Sequence, residues 1–226
     1  MDIYCWTGLS RNQIYIEFKP ELNHIYEKLR VNPDDNIAFV VPIFTASAYD
    51  KNGFYQYYKN GCESCLTTKI VESDKFNFNS SSNAIQVLQL LGYKAISDID
   101  IDQNPNIVQK YDKIILLHNE YVTKTIFDAI TSHPKVIYLY PNALYAEISV
   151  NYESNTITLK RGHNFPEESI TNGFDWEYDN THPYEYDIQC SNWEFYEIVN
   201  GMMLNCYPEE SLILENETFL KTIKEI

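Results

Sequence analysis

The sequence predicts an α/β fold: a flavodoxin-like three-layer sandwich with a mostly parallel sheet and an antiparallel β-hairpin extension. Three observations predict it. Apolar runs of strand length, at 37–44 (IAFVVPIF), 114–117 (IILL) and 136–139 (VIYL), alternate with segments whose apolar residues recur at helical spacing. That alternation builds parallel sheets with crossover helices. The runs are continuously apolar, as strands covered on both faces are. Beyond residue 145 the period becomes two, the signature of hairpins.

Taken in order, residues 1–35 read as an N-terminal extension and 36–226 as the main domain. Ile14–Phe18 alternates like an edge strand, and Leu22, Ile25, Tyr26 and Leu29 share one face of a short helix after Pro20. The run at 37–44 reads as a strand whose far end is a sheet edge or bulge, because Pro42 cannot donate to a ladder. A loop rich in Tyr, Asn and Gly follows. Phe54, Tyr57 and Tyr58 fit one helical turn, and Leu66–Val71 reads as a strand. Ser80–Asn83 caps a helix with Ile85, Val87, Leu88 and Leu91 inward and Gly92 at its C′ position. Lys94–Ile96 is a short strand. Asp98, Asp100 and Asp102 alternate as in a calcium loop, but the Gly and closing Glu of an EF-hand are missing, so a solvated loop is expected.

Ala146–Asn151 and Thr156–Arg161 make one hairpin. Trp193–Val199 and Met202–Tyr207 make another around Asn200-Gly201. The intervening loop is long, acidic and aromatic, which suits a functional loop better than disorder. A helix with Phe219, Leu220 and Ile223 inward closes the chain.

Composition narrows the function classes. With 44% hydrophobic residues in 226, a sizeable core is expected. A net charge of −15 repels phosphate backbones and anionic membranes, which disfavours nucleic acid and membrane partners. No apolar run approaches the roughly 18 residues that span a bilayer, and the first residues lack a signal peptide's basic and apolar regions. A cytoplasmic protein is expected, with a small-molecule substrate and a homo-oligomer as candidate partners. Cys62 and Cys65 form a lone C-x-x-C among five cysteines, too few for a paired zinc motif. Buried thiols or a local disulfide are expected there.

Ligands of open parallel sheets bind beyond the carboxyl ends of the strands. Two polar clusters fall there: His118-Asn119-Glu120-Tyr121 after the 114–117 strand, and Pro141-Asn142-Ala143-Leu144-Tyr145 after the 136–139 strand. Thr123 or Thr125 caps the helix between them. His118 and Glu120 are candidate general bases, and His163 follows a strand onto the same face. Against this stand ordinary roles: buried tyrosines as packing residues, and Glu120 favouring a helix N-terminus.

The run SSNAIQVLQLLGYKAISDID, then NIVQKYDKIILLHNEYVTKTIFDAI and KVIYLYPNALY, resembles the C-terminal domain of the large chain of N,N-dimethylformamidase, in the class I glutamine amidotransferase-like superfamily beside ThuA-like proteins. The resemblance covers about residues 80–147. It implies a flavodoxin-like fold and a mononuclear iron held by two tyrosines and a glutamate. Tyr121 and Tyr145 occupy the tyrosine positions; Glu185 is the candidate third ligand, with Glu177 and Glu147 as rivals. Two phenolates and a carboxylate suit Fe(III), which can polarise an amide carbonyl or supply hydroxide. No cysteine lies between Cys65 and Cys190, so a glutaminase nucleophile is not expected. Pro134-Lys135 and Tyr140-Pro141 replace the family's glycine pairs. The resemblance thus implies a metal-assisted hydrolase of a small amide-like substrate. The alternative is a catalytically degenerate binding or assembly module with the same fold.

Overall fold

The computed structural model describes residues 4–10, 13–71, 81–140, 142–178, 190–208 and 212–226. The chain opens with a hairpin, β1 (Tyr4–Ser10) and β2 (Gln13–Phe18), then α1 (Asn23–Leu29) and β3 (Ile37–Val41). Next come α2 (Ile43–Ala48), α3 (Tyr55–Asn60), β4 (Thr67–Lys69), α4 (Ser82–Leu90), β5 (Lys94–Ser97) and α5 (Asp98–Gln103). The centre holds β6 (Lys113–Leu116), β7 (Tyr121–Val122), α6 (Lys124–Thr131) and β8 (Val136–Tyr138). The remainder is β9 (Ala146–Asn151), β10 (Thr156–Arg161), β11 (Phe195–Ile198), β12 (Gly201–Leu204), α7 (Leu212–Glu215) and α8 (Glu217–Glu225).

Among the described residues a six-stranded sheet has the order β11-β12-β8-β6-β3-β5, parallel throughout except at the β11–β12 hairpin. A four-stranded sheet has the order β4-β10-β9-β7. Both faces of the main sheet are covered, so its strands alternate between two cores. Phe39, Ile115 and Ile137 join Tyr26, Leu88, Phe219 and Ile223 from α1, α4 and α8. Val40, Ile114 and Val136 join Phe44, Ile101, Ile126 and the second sheet's Ile148 and Leu159. The fold is thus the α/β sandwich that the alternating pattern predicts, and each fully buried aliphatic side chain contributes roughly 1.5–3 kcal/mol. The 1–35 extension is stitched into the first core through Ile16, Leu22, Tyr26 and Leu29.

Four local expectations are corrected. The first run is a strand only through Val41; Ile43 and Phe44 begin α2. Pro42 stops the ladder, and the Phe44 N–H donates to Asp98 Oδ2 at 2.9 Å, a cap supplied from another element. The aspartate run is a helix, not a solvated loop: Ser97 and Asp100 form a capping box, and Asp98 is fully buried. The stretch expected as a strand at 66–71 is shorter, β4, and pairs with β10 outside the main sheet. The second hairpin turns at Val199-Asn200, one residue early, because Ile198 pairs with Gly201. Asn200 turns inward to donate to the carbonyls of Ile130 and His133. Gly201 sits where a Cβ would meet Val136 O at 1.8 Å. That hairpin therefore belongs to the main sheet, while β9–β10 builds the second one.

Candidate functional site

The carboxyl ends of β3, β6 and β8 face one region. After β6 the chain makes a tight turn in which Asn119 N–H donates to Leu117 O at 2.7 Å and the Asn119 side chain accepts from Leu117 N–H. Thr45, in α2, fixes the next two residues: its Oγ1 accepts from the backbone N–H groups of Glu120 (3.0 Å) and Tyr121 (3.2 Å). Glu120 O in turn accepts from the N–H groups of Tyr145 (3.0 Å) and Ala146 (2.9 Å), and Tyr121 pairs in parallel with Ala146. The HNEY and PNALY segments are thereby joined through their backbones. Thr45→Val is expected to leave two buried N–H groups unpaired and to cost about 2–4 kcal/mol in urea unfolding.

At the centre is Glu120, 1% exposed. Its Oε1 contacts His163 Nε2. Its Oε2 accepts from the Tyr49 hydroxyl at 2.6 Å and stands 3.2 Å from His118 Nε2. Burial pushes this carboxyl's pKa up, but the His163 charge and the hydrogen bonds of His118 and His163 outweigh burial and hold it well below the usual carboxylate range. Burial first, and then the Glu120 charge, push the hydroxyls of Tyr49 and Tyr58 upward, so both are neutral donors.

The three candidate acid–base residues therefore meet, but they differ in access. His118 is 3% exposed, stacked on Tyr140 with ring centroids 5.3 Å apart and flanked by Tyr207. The His163 side chain is 29% exposed. It follows Gly162 at the end of β10 with φ of 53°, in the left-handed region that non-glycine residues rarely adopt. Its ring packs between Tyr121 (5.4 Å, stacked) and Tyr145 (4.6 Å, edge-on), with Tyr58 5.9 Å away. The two tyrosines expected as ligands thus converge on His163, Tyr121 from β7 and Tyr145 from just before β9.

The other expected ligands do not join them among the described residues. Glu185 lies outside those residues. Glu147 pairs in register with Arg161. Glu177 is exposed, on the segment where Trp176 packs against Phe127 and Tyr138. Both oxygens of Glu120 already have donors, and among the described residues no group of three or more His, Cys, Asp or Glu is placed to hold a metal. Among the described residues Tyr121 and Tyr145 thus come together without the glutamate that the resemblance implies as third ligand. Cys62 and Cys65 form a local disulfide, and Cys190 and Cys206, whose pairing their spacing does not announce, form a second.

Sequence reasoning missed Thr45, Tyr49 and Tyr58. The one signal is a polar residue at the end of the first strand run followed by a tyrosine-rich loop, which reads first as a packed aromatic layer.

Fold and cluster together define an α/β sandwich with a buried carboxylate between two imidazoles at the carboxyl ends of its parallel strands. No protein-family model matches the chain, and no curated protein matches it.

Proposed function

We propose that the chain is a hydrolase of small amide-like substrates in which His163, oriented by Glu120, is the general base. The observation that carries this is a partly exposed imidazole, set among Tyr58, Tyr121 and Tyr145 and held at Nε2 by a fully buried carboxylate. A buried charge is costly, and strongly perturbed carboxylates cluster at functional sites. Glu120 fixes the tautomer and stabilises the imidazolium as His163 gains a proton, as carboxylates do in other acyl-transfer sites. Nδ1 is the ring nitrogen that Glu120 does not engage. It takes a proton from a water attacking the amide carbonyl. The hydroxyls of Tyr58 and Tyr145 are the candidate donors to the oxygen that becomes negative. Collapse breaks the C–N bond, and the imidazolium returns its proton to the leaving amine. The likeness of residues 80–147 to the formamidase domain supports the amide-like class.

The test is amine or ammonia release from a panel of formamides and primary amides. His163→Asn is expected to lower the rate about 10²–10⁴-fold at a temperature where the variant is still fully folded. No release from any member by the wild-type protein sinks the reading.

One observation favours the second reading, a binding or assembly module: Tyr140 and Tyr207 seal His118 from solvent. Saturable binding of the same amides without turnover would select it. The absence of nucleic acid and membrane partners, a homo-oligomeric assembly and a cytoplasmic location belong to the proposal too. Among the described residues no helix is long and apolar enough to cross a membrane. The two disulfides weigh against the location, since such bonds persist mainly in oxidising compartments.

A further inference from the structure

We propose that α3 is a movable flap over the His163 side chain and that the Cys62–Cys65 disulfide, by fixing the turn that follows α3, is the redox-sensitive element that keeps it in place. No residue of α3 is buried. Tyr55 and Tyr58 on it are 46% and 40% exposed, a large aromatic surface left in water. The helix is held at its ends. Before it, Phe54 is fully buried and packs edge-on against Tyr121 at 5.2 Å. After it come Gly61 and the turn Glu63–Leu66, which the disulfide closes on itself ahead of β4. Between those anchors, Tyr57 lies 5.7 Å from Phe165 and Tyr58 lies 5.9 Å from His163. An element with few buried contacts opens at low free energy, and a disulfide that stiffens the turn at its C-terminal end narrows the directions in which that end can swing.

The two disulfides differ in access. Cys190 and Cys206 are each 2% exposed in the core, whereas Cys62 and Cys65 are partly exposed. Exchange requires a thiolate to reach sulfur, so a dithiol reductant opens the outer pair first. The reductant gives two electrons and two protons, the Cys62–Cys65 S–S bond becomes two thiols, and the reductant closes to its own disulfide. With the turn loosened, α3 carries Tyr58 away from His163 and exposes more of the imidazole. That consequence rests on His163 being the working base; the motion itself is read without turnover.

The full chain is titrated with dithiothreitol, thiols are alkylated and mapped by mass, and parallel samples meet limiting chymotrypsin. Cys62 and Cys65 should open at no more than about one tenth of the reductant that opens Cys190 and Cys206. Cleavage after Tyr55, Tyr57 or Tyr58 should then rise at least about tenfold, and the C62S/C65S double variant should show the same rise without reductant. The proposal is overturned if both disulfides open together or if either sample is cut at the oxidised rate. Loss of the cooperative urea transition in the variant and in partly reduced wild type also overturns it, because the bond then supports the whole fold. A protein that hydrolyses none of the amides leaves both readouts intact, so the two readings fail separately.

Discussion

Glu120→Gln is expected to destabilise the protein by about 3–5 kcal/mol, the usual cost of removing one partner from a buried ionic network. The substitution keeps the shape and removes the charge. Glu120 accepts from Tyr49 at one oxygen, which also lies 3.2 Å from His118 Nε2, and contacts His163 at the other, and a carboxamide offers an acceptor at only one of the two positions. Its NH₂ group must therefore face a donor. Urea unfolding measures the loss, and a cycle with Tyr49→Phe isolates that hydroxyl's share. The pH dependence has a definite sign. The folded carboxyl lies well below the ordinary glutamate value of 4.5, so the unfolded chain binds more protons below that pH. The stabilisation is complete above 4.5 and is lost as pH falls toward the folded value. The stability gap between wild type and variant should accordingly narrow below pH 4.5. A gap that stays constant from neutral pH to about pH 3 would show that the charge is not the stabilising feature.

Gly162→Ala is expected to cost about 2–5 kcal/mol, combining the strain of an unfavourable backbone region with overpacking. Gly162 has φ of 115°, and a Cβ there would stand 2.9 Å from Ala146 Cα and 3.1 Å from Tyr145 O. Those are backbone atoms of the segment that carries Tyr145, and they cannot swing aside. For a chain of this size the melting temperature should fall by about 10 °C. Any hydrolysis should fall further than stability alone explains, because His163 is the next residue. Gly61→Ala is the comparison: φ is 66° but nothing lies within 4 Å of the added carbon, so about 1 kcal/mol is expected. Equal costs at the two positions would show that the close approach at Gly162 yields without penalty.

Where sequence and structure agree, the deciding signal is local. The strands at Ile114 and Val136 are apolar throughout because both faces are covered, and α6 begins where Thr123 accepts from the Ile126 N–H. The misreadings are of two kinds. In the aspartate run a local signal was present, since Ser97 and Asp100 stand at capping-box spacing, but the alternating acids read more strongly as a solvated loop. In α2 and the second hairpin the decision is remote: α2 takes its cap from Asp98, 54 positions away from Phe44, and Asn200 is drawn inward by carbonyls of the α6 end.

The sequence by itself determined the layer architecture and the rim on which His118, Glu120, Tyr121 and Tyr145 stand, because hydrophobic periodicity and strand-end polarity are properties of neighbouring residues. Only the tertiary structure decided that Glu120 is the hub, that Tyr49 and His163 are its partners, and that the phenols gather round an imidazole. Those contacts join positions 71 and 43 residues apart. Their geometry depends on how α2, the β6 turn and the β10 loop pack together, which no spacing along the chain encodes.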